Sequence, residues 1–173
     1  MTEGKVEQLH TSHPQIRAED WRAPLICRLL KATIYAEKPV VFDESFRDGD
    51  DAVSESQTRL TWTGLRDDFQ KCVNTYQDPV LTEYAALGLS CMLVTQLAKM
   101  EITEVTLHGD RADYWLGDKE LLLEVSGTLT GDLDALQQAK ALQLRENPFE
   151  KDGYVCVANF ETRHAQLWFH AYE

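Results

Sequence analysis

An acid interrupts an apolar run in the second half of the chain. In Leu121-Leu122-Leu123-Glu124-Val125 the carboxylate stands among residues that seek burial, and a buried carboxylate without a partner is costly. On a half-exposed strand the same alternation is ordinary. Eleven residues earlier lies Asp113, beside Tyr114 and Trp115. The Gly117-Asp118 turn between the two acids gives ordinary hairpin spacing. His10-x-x-His13 has a spacing that suits metal ligands, but no third ligand accompanies it, and it reads as part of a polar surface arm. Near the C-terminal end, His164, Gln166, Trp168 and His170 share one strand face, and Ala165, Leu167, Phe169 and Ala171 share the other. The second set is the natural core, and the first is a half-buried sheet face or a binding surface. The sequence has no GxGxxG, P-loop or GxSxG, so nucleotide-fold and serine-hydrolase chemistry have no foothold.

The elements that must position these residues are clearest after residue 79. Residues 80–100 predict one long helix, apolar on nearly every side and therefore buried. Strands are expected over 101–108, 111–116 and 120–126, separated by the Gly109-Asp110 and Gly117-Asp118 turns. Asp132 is placed to cap a helix that stops before Asn147-Pro148. Residues 154–160 and 165–172 predict a final hairpin. The N-terminal part reads less sharply. Residues 1–22 predict a polar, partly ordered arm, and 25–30 are of mixed character. Strand character follows over 32–36 and 40–42. Residues 43–56 form an acidic stretch expected to be an exposed loop. A short strand at 60–63 and a helix at 65–76 come next, and Asp78-Pro79 punctuates the boundary. The division is thus an extension over 1–79, packed on or docking beside an α/β core over 80–173.

With 173 residues the chain can bury a sizeable core without disulfides or a structural metal. The net charge is −12, from 17 Lys and Arg against 29 Asp and Glu. Such a field repels phosphate backbones and anionic membranes, so general nucleic-acid binding and membrane association are disfavoured. Residues 101–173 carry six of the basic residues against 14 acids. The half with the clearer fold is therefore also the more acidic half. The N-terminal end has no secretory apolar core, and the longest apolar stretch, 84–94, reads as too short for a bilayer. Cysteines 27, 72, 91 and 156 make no CxxC pair, so reduced thiols and a cytoplasmic setting are expected.

The order helix, three strands, helix, two strands over about 80–172 resembles the core of the PD-(D/E)XK, or restriction-endonuclease-like, nuclease superfamily. The resemblance implies an α+β fold of that kind, with the N-terminal extension of mixed strand and helix added to it. It places an acid on one central strand and acid-x-lysine on the next. RADYWLGDKELLLEVSG supplies Asp113 and Glu124 for the two acids, and the preceding helix supplies Glu83. By the resemblance these three are the metal ligands. Carboxylates that converge can hold Mg²⁺, which prefers oxygen and keeps several waters. The lysine position is occupied by Ser126. Some members of the superfamily carry that lysine on the following helix, which points to Lys140. At about 100° per residue Lys140 shares a face with Leu133, Leu136, Gln137 and Leu144. The catalytic set implied is Asp113, Glu124 and Lys140. Plain roles exist beside these: Asp113 ending a strand, Glu83 complementing a helix dipole, and Lys140 snorkelling to water.

The function expected on these grounds is a nuclease-fold subunit of a multiprotein assembly, degenerate and acting mainly through contacts with a protein partner. One alternative is a Mg²⁺-dependent DNA or RNA phosphodiesterase. Another is an acidic inhibitor of a nucleic-acid-binding protein. No basic cluster flanks Asp113 or Glu124, so nucleic acid is expected only with a partner or a metal. A mixture of Arg17, Arg22, Arg28 and Lys31 with Trp21, Leu25, Ile26, Leu29 and Leu30 either docks a protein or completes the core.

Overall fold

The computed structural model describes residues 1–30, 39–63 and 68–172. The expected strand at 32–36, the start of the 65–76 helix, and Lys31 lie outside the described residues. The fold is α+β, and its strands join in one mixed eight-stranded sheet. In chain order the elements are β1 (Thr2–Lys5), α1 (Leu9–Ser12), α2 (Arg22–Leu30), β2 (Val40–Arg47), β3 (Ser54–Thr61), α3 (Asp68–Thr75) and α4 (Asp78–Leu93). Then come β4 (Ile102–Val105), β5 (Tyr114–Leu116), β6 (Leu121–Thr128), α5 (Leu133–Arg145), β7 (Gly153–Asn159) and β8 (His164–His170). The sheet order is β1-β3-β2-β8-β7-β6-β5-β4. β4, β5 and β6 form an antiparallel meander. α5 then crosses over to β7, which runs parallel to β6, and β8 returns antiparallel.

α4 and α2 cover one face of the sheet and α5 the other. α4 is buried nearly all round, as its composition requires, and a π-helical turn, Val94–Ala98, prolongs it. Together Asp78–Ala98 is a helical run long and apolar enough to cross a membrane, contrary to the reading of that stretch as too short, but 67% of its most apolar window is buried inside the protein. Its N-terminal turn begins at Asp78-Pro79, not after them. Proline there needs no hydrogen-bond donor and carries the right φ. At β6 the approach is close: a Cβ on Gly127 would lie 2.8 Å from the Thr82 carbonyl oxygen and 2.9 Å from Ala86 Cβ. Only a glycine lets the helix sit this near the strand that carries Glu124.

The N-terminal part departs from the expectations. The polar arm is not a loose appendage: Thr2–Lys5 pairs parallel with β3, and Leu9 and Val6 enter the core. His13 is fully buried, not on a surface arm. The acidic 43–56 stretch is mostly strand, because Asp43–Arg47 belongs to β2 and Ser54–Ser56 to β3. Alternation there puts its acids largely on the open face, with Glu44 as the exception at 0% exposure. Leu25, Ile26 and Leu29 lie on the buried face of α2, so the apolar part of the supposed docking surface completes the core. Arg28 pairs with Asp78 at 2.7 Å, and Arg17 with Asp20 at 3.0 Å. Cys27, Cys72, Cys91 and Cys156 are buried and lie outside disulfides.

Candidate active site

Glu124 lies in the middle of β6, on the α5 side of the sheet, and is 1% exposed. Its neighbours Leu123 and Val125 point the other way, into the α4 core. Period-two alternation therefore delivers one acid into the seam between sheet and helix. α5 starts where Asp132 caps it, accepting a hydrogen bond from the Ala135 N–H at 3.1 Å. Lys140 then falls two turns in, on the sheet side. Its Nζ donates to Glu124 Oε1 at 2.6 Å and to Gln143 Oε1 at 3.2 Å. Gln143 Nε2 donates to the same Glu124 oxygen at 2.9 Å. Glu124 Oε2 has no hydrogen-bond donor and is out of water.

Asp113 completes the pair. It lies one residue ahead of β5, in the bend entering that strand rather than within it. One of its oxygens, Oδ2, accepts the Val125 N–H at 2.7 Å, and its carboxyl lies near enough to that of Glu124 for each to shift the other's titration. Two acids held this way repel, which favours one proton shared between them. The Glu124 pKa is raised to about 7, by burial first and by the charge of Asp113 next, with Lys140 opposing both. Asp113 is also raised, first by burial, with the Val125 N–H and Lys140 pulling it down and Glu83 adding to the rise.

The sequence-derived residues thus divide. Asp113, Glu124 and Lys140 come together. Glu83 is exposed in the second turn of α4 and acts on Asp113 as a charge. Among the described residues no three His, Cys, Asp or Glu side chains converge as a metal-ligand group. Gln137 is buried beneath α5 but bonds elsewhere, its Nε2 lying 3.4 Å from the Val155 carbonyl and 3.2 Å from His170. The glutamine on Glu124 is Gln143, which sequence reasoning passed over. Its position three residues after Lys140, on the same helix flank, was the available signal. Ser126 shares the Glu124 face of β6 but carries no charge.

Asp113 opens on a cleft of about 520 Å³, lined also by Gln143 and the loop between β4 and β5, with Glu124 buried behind it. The donor set suits a divalent cation of the Mg²⁺ type in one respect. Mg²⁺ is held by one or two carboxylates with waters and substrate oxygens completing its shell, not by an all-protein cage. The unpartnered Glu124 Oε2 beside Asp113 offers such a pair. His10 and His13 form no such site. His13 accepts the Ile102 N–H on Nδ1 at 2.9 Å, which leaves Nε2 to donate to the Cys91 carbonyl at 2.8 Å. Its burial lowers the imidazole pKa.

No family model, curated protein or solved structure matches this chain. The geometry of the site must therefore carry the functional reading by itself.

Proposed function

We propose that this chain is a divergent PD-(D/E)XK-like subunit whose Asp113, Glu124 and Lys140 form a Mg²⁺-dependent phosphodiesterase site. The observation that carries the reading is the lysine from α5 at 2.6 Å from a buried glutamate that also contacts a second acid. Lysine there takes the charge that the usual acid-x-lysine strand motif would supply, since Ser126 cannot. Asp113 and Glu124 Oε2 would hold the cation, with Glu83 contributing field rather than a ligand bond. When bound, such an ion activates a water and screens the scissile phosphate. Lys140 and Gln143 orient the Glu124 carboxylate by holding its other oxygen, and Lys140 offsets negative charge developing beside it.

The −12 charge sets the context. Duplex binding draws most of its affinity from many Lys and Arg contacts to phosphates, and this surface does not provide them. A protein partner that grips the bulk of the substrate fits that deficit, and a cytoplasmic location fits four cysteines outside disulfides. A second reading keeps the fold and drops the chemistry: a degenerate subunit that acts by docking alone. It is favoured by the Lys140–Glu124 ion pair, which already satisfies one carboxylate oxygen without metal, and by the absence of a three-ligand group among the described residues.

Cleavage of labelled DNA and RNA with Mg²⁺ or Mn²⁺ separates the two. Activity lost in Glu124→Gln and kept in Asp51→Ala, on the exposed β2–β3 loop, supports the enzyme. Metal-dependent activity absent from the wild type, with a fixed partner co-purifying, supports the docking subunit.

A further inference from the structure

The cleft in front of Asp113 has walls of two kinds. Val105 and Leu107 present apolar surface to solvent at 60% and 78% exposure, which is unusual beside an acid pair. His108 and Arg111 are the basic groups on the same loop, Asp110 lies between them in sequence, and Gln143 closes the back. The loop is exposed but tied. The Thr106 N–H donates to the Asp113 carbonyl at 3.0 Å, and the Thr106 hydroxyl donates to the Ala112 carbonyl. The Leu107 N–H donates to Asp110 Oδ2 at 2.6 Å. Gly109 at φ 99° and Arg111 at φ 63° make the reversal. Leu107 is therefore held out by hydrogen bonds, against the usual pull of apolar surface away from water. Among the described residues Arg111 has one loose ionic partner, Glu146 at 3.7 Å, and both side chains are more than half exposed.

Resting on the phosphodiesterase reading, we infer that this cleft takes a single unpaired nucleic-acid strand, not a duplex. An apolar wall is of use to a nucleic acid only where a base shows its face, and bases in a duplex hide theirs by stacking. Contact between an unpaired base and a side-chain surface tolerates any sequence. One arginine beside the acids serves one phosphate, which is the scale of a strand passing a single residue through a cleft of about 520 Å³. A duplex footprint needs a row of such contacts, and the more acidic half of this chain has only six Lys and Arg in all. Leu107 and Val105 thus receive the base, Arg111 steers the phosphate, and Asp113 with Glu124 stands at the phosphodiester.

The test is fluorescence anisotropy on the full chain with Ca²⁺ in place of Mg²⁺, using labelled single-stranded DNA, single-stranded RNA and a duplex of equal length. The single strands should bind at least about tenfold more tightly than the duplex, with Leu107→Ala and Arg111→Ala each weakening them about five- to tenfold. Both residues are exposed, so neither change threatens folding. Asp51→Ala, on the exposed β2–β3 loop, should leave strand binding within about twofold. The RNA and DNA arms tell which sugar is preferred. Equal or tighter duplex binding, no binding of either form, or indifference to both loop variants overturns the inference. Strand binding with both variant effects but no metal-dependent cleavage would keep the inference and remove the hydrolysis reading. Cleavage that prefers the duplex would do the reverse.

Discussion

His13 and Glu124 are both titratable, both buried to within 1% of complete, and both caught between the sheet and a helical layer. Their hydrogen bonds differ. His13 has each ring nitrogen matched, one accepting from Ile102 and the other donating to Cys91, with Thr95 Oγ1 at 3.2 Å as well. It ties the N-terminal arm to the end of α4 and to the start of β4. Glu124 has one oxygen doubly bonded and one without a donor, faces a second acid, and lies behind an open cleft. A buried polar group with every bond made is a structural tie. One left incomplete beside like charge costs stability, and such costs concentrate at functional sites.

The contrast predicts opposite responses to mutation. The largest effect should come from His13→Ala, which leaves the buried Ile102 N–H without an acceptor and opens a cavity. A loss of about 3 kcal/mol in urea denaturation is expected, with His13→Gln recovering part of it. A loss below about 1 kcal/mol would mean that the arm is held by β1 alone.

Glu124→Gln should behave differently. The folded-state pKa of Glu124 is raised from 4.5 to about 7, so the native state holds the proton more tightly than the unfolded chain does. Its contribution is fully present below the unfolded pKa and is lost as pH rises through the folded one. Relative to Glu124→Gln, the wild type should therefore lose up to about 3 kcal/mol between pH 4.5 and 7. Stability measured across that range for both proteins checks this. A difference that does not vary with pH contradicts the environment assigned to the acid pair.

His13 should tilt stability the other way. Its imidazole is lowered below 6.5 by burial, so the unfolded chain takes up the proton first. Stability should fall as pH drops below about 6.5, and His13→Gln should flatten that slope. The smallest effect should be Asp132→Ala, at about 1 kcal/mol from the lost cap of the helix that carries Lys140. Strand cleavage should respond to it far less than to Lys140→Ala.

What the sequence revealed follows the same contrast. Glu124 and Lys140 were legible because strand alternation and helical periodicity fix which way a side chain points, whereas Asp113, in the bend before β5, was marked only by the resemblance. Those rules hold along β6 and α5, where the apolar pattern is clean. Gln143 was missed because it lies on the flank of that pattern. The N-terminal part was illegible for a different reason. β1 reaches its partner β3 across more than 50 residues, and in it only Gly4 is buried. Its stability comes from backbone pairing that leaves no apolar trace. His13 was dismissed with His10 because the pattern marks ligands, whereas its role depends on Ile102 and Cys91, remote in sequence. The acids of β2 and β3 read as loop because their open face is polar, as antiparallel sheets permit.

In the proposed site Asp113 and Glu124 together accept a divalent cation. Anomalous diffraction from crystals grown with Mn²⁺ tests it most directly. A peak is expected about 2.1 Å from Glu124 Oε2 and an Asp113 oxygen, with Lys140 still beside Glu124. Crystals that show no peak there, with Lys140 on Glu124 and the two carboxyls sharing a proton, would contradict it.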